Sequence, residues 1–211
     1  MSRAFDRIAF LFAIAPMLAP CLPAEASTTY DMVKEFSIKK NPAGVWSYRS
    51  TLDNLPLAKS HSSCWGVAGL DCWYDHHVQP GNRTMIGINT TGQTVTWDHG
   101  NVIYTPGYIM IDPEHEGDGY VQFTAPVAGT YTVKGRYVPL ALKVPHKNFC
   151  YIDQMGSKSK DLWFSKVDSH GPKRFNLSVP LAQGDMLQFE VRRPPGKNPS
   201  YTGLTAKITG P

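Results

Sequence analysis

The stretch Tyr120-Val121-Gln122-Phe123-Thr124-Ala125-Pro126-Val127-Ala128-Gly129-Thr130-Tyr131-Thr132-Val133-Lys134-Gly135-Arg136-Tyr137 decides the fold class. Residues 120–123 and 131–137 each alternate in polarity with a period of two, and a Pro/Gly turn separates them. The expected product is an antiparallel strand pair. The same pattern recurs at residues 175–179, which lead through Pro180 and Gln183-Gly184-Asp185 into residues 186–191, and the chain closes on residues 204–208. Further strands are expected at residues 36–38, 45–48, 85–89, 94–97, 108–111 and 149–153, and no segment carries a convincing helical period. Many short strands at even spacing make an all-β protein: an antiparallel two-sheet β-sandwich with jelly-roll-like connections.

The length of 211 residues, 42% hydrophobic, suffices for one well-buried core, and 18 Gly with 17 Pro suit a turn-rich domain. Residues 1–26 read as a signal peptide: Arg3 and Arg7 form a basic start, residues 8–20 an apolar run, and Ala24-Glu25-Ala26 a small-x-small cleavage site. The apolar run falls short of the roughly 20 residues needed to cross a bilayer, so no transmembrane segment is expected. Pro20 before Cys21 occupies the place where a lipoprotein box needs a small residue. Residues 27–211 then form a single domain, exported to the periplasm or the extracellular space.

Export fixes how cysteine is read, because disulfides persist in oxidising compartments. Cys64, Cys72 and Cys150 remain after cleavage; the expected bridge is Cys64–Cys72, with Cys150 buried in a strand. Charge is divided along the chain. Residues 27–133 hold six Lys/Arg against ten Asp/Glu, whereas residues 134–211 hold thirteen against five. Such a basic half attracts acidic polymers or is simply a solvated surface. No nucleic-acid-binding signature accompanies it, so no nucleic-acid partner is expected.

The segment Phe36-Ser37-Ile38-Lys39-Lys40-Asn41-Pro42-Ala43-Gly44-Val45-Trp46-Ser47-Tyr48 resembles the "NPxGVWSY" opening of secreted bacterial β-sandwich modules, some of which precede a PEP-CTERM surface-sorting tail. Ile88-Asn89-Thr90-Thr91-Gly92, residues 119–131 and Thr202-Gly203-Leu204-Thr205-Ala206-Lys207-Ile208 are similar in order, so the resemblance spans about residues 30–210. Ile111-Asp112-Pro113-Glu114 departs from the "LHPG" segment often found there, and without a tail after Pro211 no surface sorting is expected. The resemblance implies a non-enzymatic, extracytoplasmic sandwich whose ligand is carbohydrate.

Residues 53–81 form the least regular stretch and hold Trp65, Trp73 and Tyr74 beside the two cysteines. Their flat rings would stack on sugar C–H faces from a bridged loop, or else cap the sandwich as a satellite cluster. The acidic turn Asp112-Pro113-Glu114-His115-Glu116-Gly117-Asp118 offers hard oxygen ligands at Asp112, Glu114, Glu116 and Asp118 for a structural Ca²⁺, or is a solvated turn. No other cofactor is expected. His61, Cys64, Cys72, His76 and His77 lack the ligand spacing of a zinc site, and no nucleophile motif is present.

The sequence therefore leads to a non-catalytic binding module, not an enzyme. Its expected partner is a cell-envelope or extracellular polysaccharide, held by Trp65, Trp73 and Tyr74, with Lys173, Arg174, Arg192 and Arg193 attracting acidic groups. The alternative is a TNF- or complement-type jelly roll that assembles into oligomers. A third reading, a hydrolase, would need catalytic groups distant in sequence to meet in a cleft.

Overall fold

Alternation becomes strand wherever a run can bury one of its faces. A computed structural model describes residues 26–52, 55–75, 84–113, 117–141, 148–195 and 201–211, apart from the side chains of Trp65 and Asp98. Its strands are β1 (Thr28–Asp31), β2 (Trp46–Ser50), β3 (Lys59–His61), β4 (Leu70–Tyr74), β5 (Met85–Asn89), β6 (Val95–Trp97), β7 (Val102–Tyr104) and β8 (Ile109–Asp112). They continue as β9 (Gly119–Thr124), β10 (Gly129–Pro139), β11 (Asn148–Met155), β12 (Lys160–Val167), β13 (Lys173–Leu181), β14 (Met186–Arg192) and β15 (Thr202–Gly210). Every pairing among them is antiparallel.

The large sheet runs β13-β10-β15-β8-β5-β4-β3, with β1 pairing the C-terminal half of β15; the five-stranded sheet runs β12-β11-β14-β9-β2. Their inner faces enclose one core, in which Phe123 meets Trp46 at 5.3 Å and Tyr131 at 5.7 Å between ring centroids, and Tyr137 stacks on Trp163 at 5.5 Å. Gly135 interrupts β10 for a steric reason: a Cβ there would run into the Thr205 carbonyl and the Phe175 ring. The sandwich is thus as the sequence leads one to expect, an all-β antiparallel fold with jelly-roll-like crossings between two sheets.

One expected pairing is corrected. Residues 120–123 and 131–137 are not partners: β9 lies in the five-stranded sheet and β10 in the large one, so the intervening turn is an arch. A second arch, between β13 and β14, lies against it, with Ala125 N donating to Asp185 O at 2.8 Å and Gly184 N to Ala125 O at 2.9 Å. Period-two patterning fixes which face of a strand is buried but not which sheet the next strand joins. Residues 36–38 are not a strand either; Phe36 instead packs its ring on Tyr48 at 4.7 Å. The expected loop at 53–81 holds two strands, β3 and β4, which extend the large sheet.

The Cys64–Cys72 disulfide forms, joining a 3-10 turn (Cys64–Gly66) to β4, and Cys150 is buried and unbridged. Both bridged cysteines belong to a second cluster on the outer side of the large sheet, where Tyr104, Met110, Val138 and Leu140 pack together. The β6-β7 ribbon covers that end of the sheet. The outer face over β1, the C-terminal half of β15, β10 and β13 stays open.

The arches are clamped by Asp185. Its carboxylate accepts hydrogen bonds from Ser157 N at 2.7 Å, Ser157 Oγ at 2.7 Å and Ala182 N at 2.9 Å. These donors, the Ser157 amide foremost, hold the carboxyl at about 2, below its ordinary value of 3.8. A depressed carboxyl stabilises the fold above its unfolded value and loses that contribution as pH falls through the folded one. Asp185→Asn is therefore expected to lower the melting temperature at pH 7, with the gap to wild type closing between about pH 4 and pH 2 in thermal melts.

Candidate functional site

Strand register sets a row of side chains across the outer face of the five-stranded sheet. Arg49 on β2 stands opposite Tyr120 on β9, Tyr120 opposite Glu190 on β14, Glu190 opposite Tyr151 on β11, and Tyr151 opposite Phe164 on β12. A second row sets Arg192 beside Phe149 and Phe149 beside Lys166. On the other flank lie Ser47, Gln122, Gln188, Asp153 and Asp161. Each residue projects away from the core because its chain neighbours, among them Phe123, Ile152, Trp163 and Phe189, fill it; Ser47, Tyr120, Gln122 and Glu190 are themselves buried, whereas Phe164 is exposed.

Tyr151 and Phe164 lie 4.9 Å apart, Phe149 and Phe164 6.0 Å, and Phe164 is 51% exposed. They form an aromatic ledge. Its polar side is built on Glu190, 4% exposed, whose two carboxylate oxygens accept from Arg192 Nε at 2.9 Å and Nη2 at 2.8 Å. The Arg192 guanidinium lies 4.4 Å from the centroid of the Tyr151 ring, and the Glu190 hydrogen bonds raise its already high basicity. At the other end of the row Arg49 Nε donates to Tyr120 Oη at 3.0 Å. Aromatic faces beside fixed carboxylate, guanidinium and amide groups are the chemistry that binds a ring carrying both C–H and hydroxyl surfaces.

Asp153 borders the ledge with Oδ1 buried and unpartnered among the described residues. Burial first, then the charges of Asp161 and Glu190, push its carboxyl from 3.8 to about 6, with Arg192 opposing. Because the folded value lies above the unfolded one, the contribution of Asp153 to stability is largest below about pH 4 and is lost as pH rises through 6. Asp153→Asn, which mimics the protonated form, is expected to melt higher than wild type at pH 8 and level with it at pH 4 by differential scanning calorimetry.

The residues expected from sequence are dispersed. Trp73 points into the main core, 7% exposed, with Nε1 donating to Ser37 O at 2.7 Å, and so presents no face to a sugar. Tyr74, its neighbour on β4, turns to the opposite side and packs against the cluster around the disulfide. Burial within the strand thus removes Trp73 from a stacking role. Trp73→Ala is expected to cost roughly 3–5 kcal/mol in chemical denaturation, the loss typical of a truncated buried aromatic. The Trp65 side chain, His76, His77, Glu114 and Glu116 lie outside the described residues.

The four basic residues do not form one patch. Arg174 faces outward on the large sheet, Arg192 outward on the other, and Lys173 Nζ lies 4.0 Å from Asp168 at the sandwich edge. Arg193 follows β14, where its backbone N donates to Asp118 Oδ1 at 3.3 Å. Neighbours in sequence are separated because a strand projects alternate residues to opposite sides. The proposed calcium ligands are likewise apart in character: Asp112 is 1% exposed on β8, whereas Asp118 takes the Arg193 amide and lies 4.0 Å from Arg192. No cluster of three His, Cys, Asp or Glu able to hold a metal exists among the described residues, and none of their helices is long and apolar enough to cross a membrane.

The ledge is not legible in the sequence because Phe149 and Tyr151 sit in an ordinary strand run and Phe164 in a run, Leu162-Trp163-Phe164, that does not alternate. The one signal is that the alternate residues Cys150, Ile152 and Trp163 are apolar as well, and in a two-sheet sandwich only one face of a strand meets the core.

No family model matches the chain, and no curated protein matches it. Among solved structures, the K1 cleaved adhesin domain of Lys-gingipain from Porphyromonas gingivalis W83 is 8% identical, with 87% of this chain and 97% of that one covered at a TM-score of 0.42. A family 29 carbohydrate-binding module is 13% identical over 78% and 88% of the two chains, TM-score 0.36. The C-terminal CBM6 of LamC, a laminarinase of the marine Zobellia galactanivorans, is 12% identical over 56% and 86%, TM-score 0.30.

Proposed function

We propose that the protein is an exported, non-catalytic module that binds a cell-envelope or extracellular polysaccharide on the outer face of the five-stranded sheet. The observation that carries this reading is the ledge of Phe149, Tyr151 and Phe164, bordered by the buried Glu190–Arg192 pair. The rings supply apolar stacking surface at little ordering cost, since they are set by strand register and by one another. The buried Glu190 holds the half-exposed Arg192 guanidinium in a bidentate pair, and the guanidinium N–H groups left at the surface suit sugar hydroxyls. The leader-like residues 1–26 and the Cys64–Cys72 bridge support export.

Catalysis is not part of the proposal. Glu190 is committed to Arg192, and burial holds the Cys150 thiol well above its ordinary value beneath the sheet. Self-assembly is the competing use of the ledge, favoured by the exposure of Phe164.

The deciding experiment is a glycan array with wild type and a Tyr151→Ala/Phe164→Ala double variant, each checked by thermal melt. Wild type is expected to sediment as a monomer and retain particular glycans. The double variant should lose at least about tenfold in affinity, the order expected for two ring faces. Equal retention by both proteins, or a concentration-dependent oligomer that the double variant abolishes, sinks the reading.

A further inference from the structure

The open half of the large sheet's outer face carries a groove of about 1080 Å³, on the side of the molecule away from the aromatic ledge. Small ligands usually occupy roughly 300–1,000 Å³, so this volume suits a length of polymer better than a single small anion. The groove lining contains five cations, Lys34, Lys134, Arg136, Arg174 and Lys207, against one carboxylate, Asp31. Asp31 is already engaged: Oδ1 accepts from the backbone N of Val33 and of Lys34 at 3.2 Å each, and Oδ2 lies 3.5 Å from Lys207 Nζ. Among the described residues, Lys134, Arg136 and Arg174 have no ion pair with a carboxylate.

Register makes this arrangement costly. Lys134 on β10 stands directly opposite Lys207 on β15, and Arg136, one step along, directly opposite Arg174 on β13. Directly opposed like charges destabilise a sheet. A surface chosen for stability alone would alternate signs here, as Asp31 and Lys207 do across β1 and β15. An anion lying across two like-charge pairs side by side relieves their repulsion. Arg136 is also pre-set for that task. Its Nη2 donates to Tyr108 Oη at 2.6 Å, and its guanidinium lies 5.3 Å from the centroid of the Tyr108 ring, so the side chain is oriented before any ligand arrives.

We propose that this groove is a second binding site, for a linear acidic polysaccharide whose carboxylate or sulfate groups bridge the opposed cations. The cations are interleaved with short neutral polar groups: Thr209 opposes both Thr29 and Thr132, Thr205 opposes Arg136, and Asn176 opposes Lys134. Hydroxyls and amides at that spacing match sugar hydroxyls between the acidic groups. Single-stranded nucleic acid would instead need outward aromatic rings for its bases, and the one ring in the lining, Phe175, is buried in the core. The site depends on no feature of the aromatic ledge.

The test measures binding of dextran sulfate, polygalacturonate, neutral dextran and oligo(dT) by calorimetry at about 50 and 200 mM salt, a range over which exposed charges become screened. Wild type is compared with Lys134→Gln/Arg174→Gln, which removes one member of each opposed pair, and with the Tyr151→Ala/Phe164→Ala variant. Wild type is expected to bind dextran sulfate or polygalacturonate, whichever carries the matching anion, and to bind neither neutral dextran nor oligo(dT) in this groove. The Lys134→Gln/Arg174→Gln variant should lose at least about tenfold in affinity and show a shallower salt dependence. Its melting temperature should stay level or rise, because repulsion has been relieved. Loss of the ledge should leave polyanion binding intact, which separates failure of this site from failure of the other. The proposal is overturned if neither polyanion binds wild type or if the charge variant binds like wild type. Oligo(dT) binding tighter than both polyanions would also overturn it, as would a fall in the charge variant's melting temperature together with its affinity.

Discussion

Both outward faces depend on the closure of two sheets over one aromatic core, and that closure is made by chain arches rather than by hairpins. Between β9 and β10, and again between β13 and β14, the chain leaves one sheet and enters the other. The two arches are hydrogen-bonded to each other through Ala125, Gly184 and Asp185, and the Asp185 carboxylate draws Ser157 into the same knot. Buried backbone groups at such crossings have no ladder partner and must find one locally. With the arches joined, β10 and β13 pair on one side while β9 and β14 pair on the other. The register of four strands is thereby fixed, and with it every outward row.

Register is what converts patterning into chemistry. In the five-stranded sheet it aligns Arg49, Tyr120, Glu190, Tyr151 and Phe164, residues from five strands, the first two alone 71 positions apart. In the large sheet the same rule aligns Lys207, Lys134 and Asn176 in one row and Thr205, Arg136 and Arg174 in the next. A slip of one residue would drive these groups into the core and expose Val133 or Ile152 instead. The apolar inner residues therefore position the polar outer ones, although the two never touch.

What could be read from the sequence followed the same division. Strands with one apolar face, such as β5, β10 and β14, were plain because alternation shows directly which side is buried. β12 escaped because Leu162, Trp163 and Phe164 run together without alternating, and β3, Lys-Ser-His, has no apolar face at all. The disulfide was legible because two cysteines stand eight positions apart in a chain with a leader-like start, leaving Cys150 as the odd one. The site was less so. Trp73 looked like a surface ring because it follows a cysteine in an irregular stretch, yet in β4 it alternates with Cys72 and Tyr74 and takes the inward side. Sequence gives composition of a face only after the pairing is known, and pairing between distant strands leaves no local mark.

The two outer faces also differ in how they hold charge, and this difference decides what each can do. On the five-stranded sheet the exposed guanidinium of Arg192 is matched by Glu190 within hydrogen-bond reach, so the face is nearly neutral and its attraction rests on ring surface. On the large sheet the cations oppose one another and the nearest carboxylate is occupied by backbone amides, so the face carries a local field with little apolar area. A neutral aromatic ledge holds its partner through short-range contact and is insensitive to salt, whereas an unneutralised basic groove acts at longer range and weakens as the Debye length shrinks. A sandwich with both surfaces can capture an acidic polymer from a distance on one side while discriminating sugar shape on the other. The core between the faces keeps the two proposed uses independent, since each face is set by strand register and neither shares a side chain with the other.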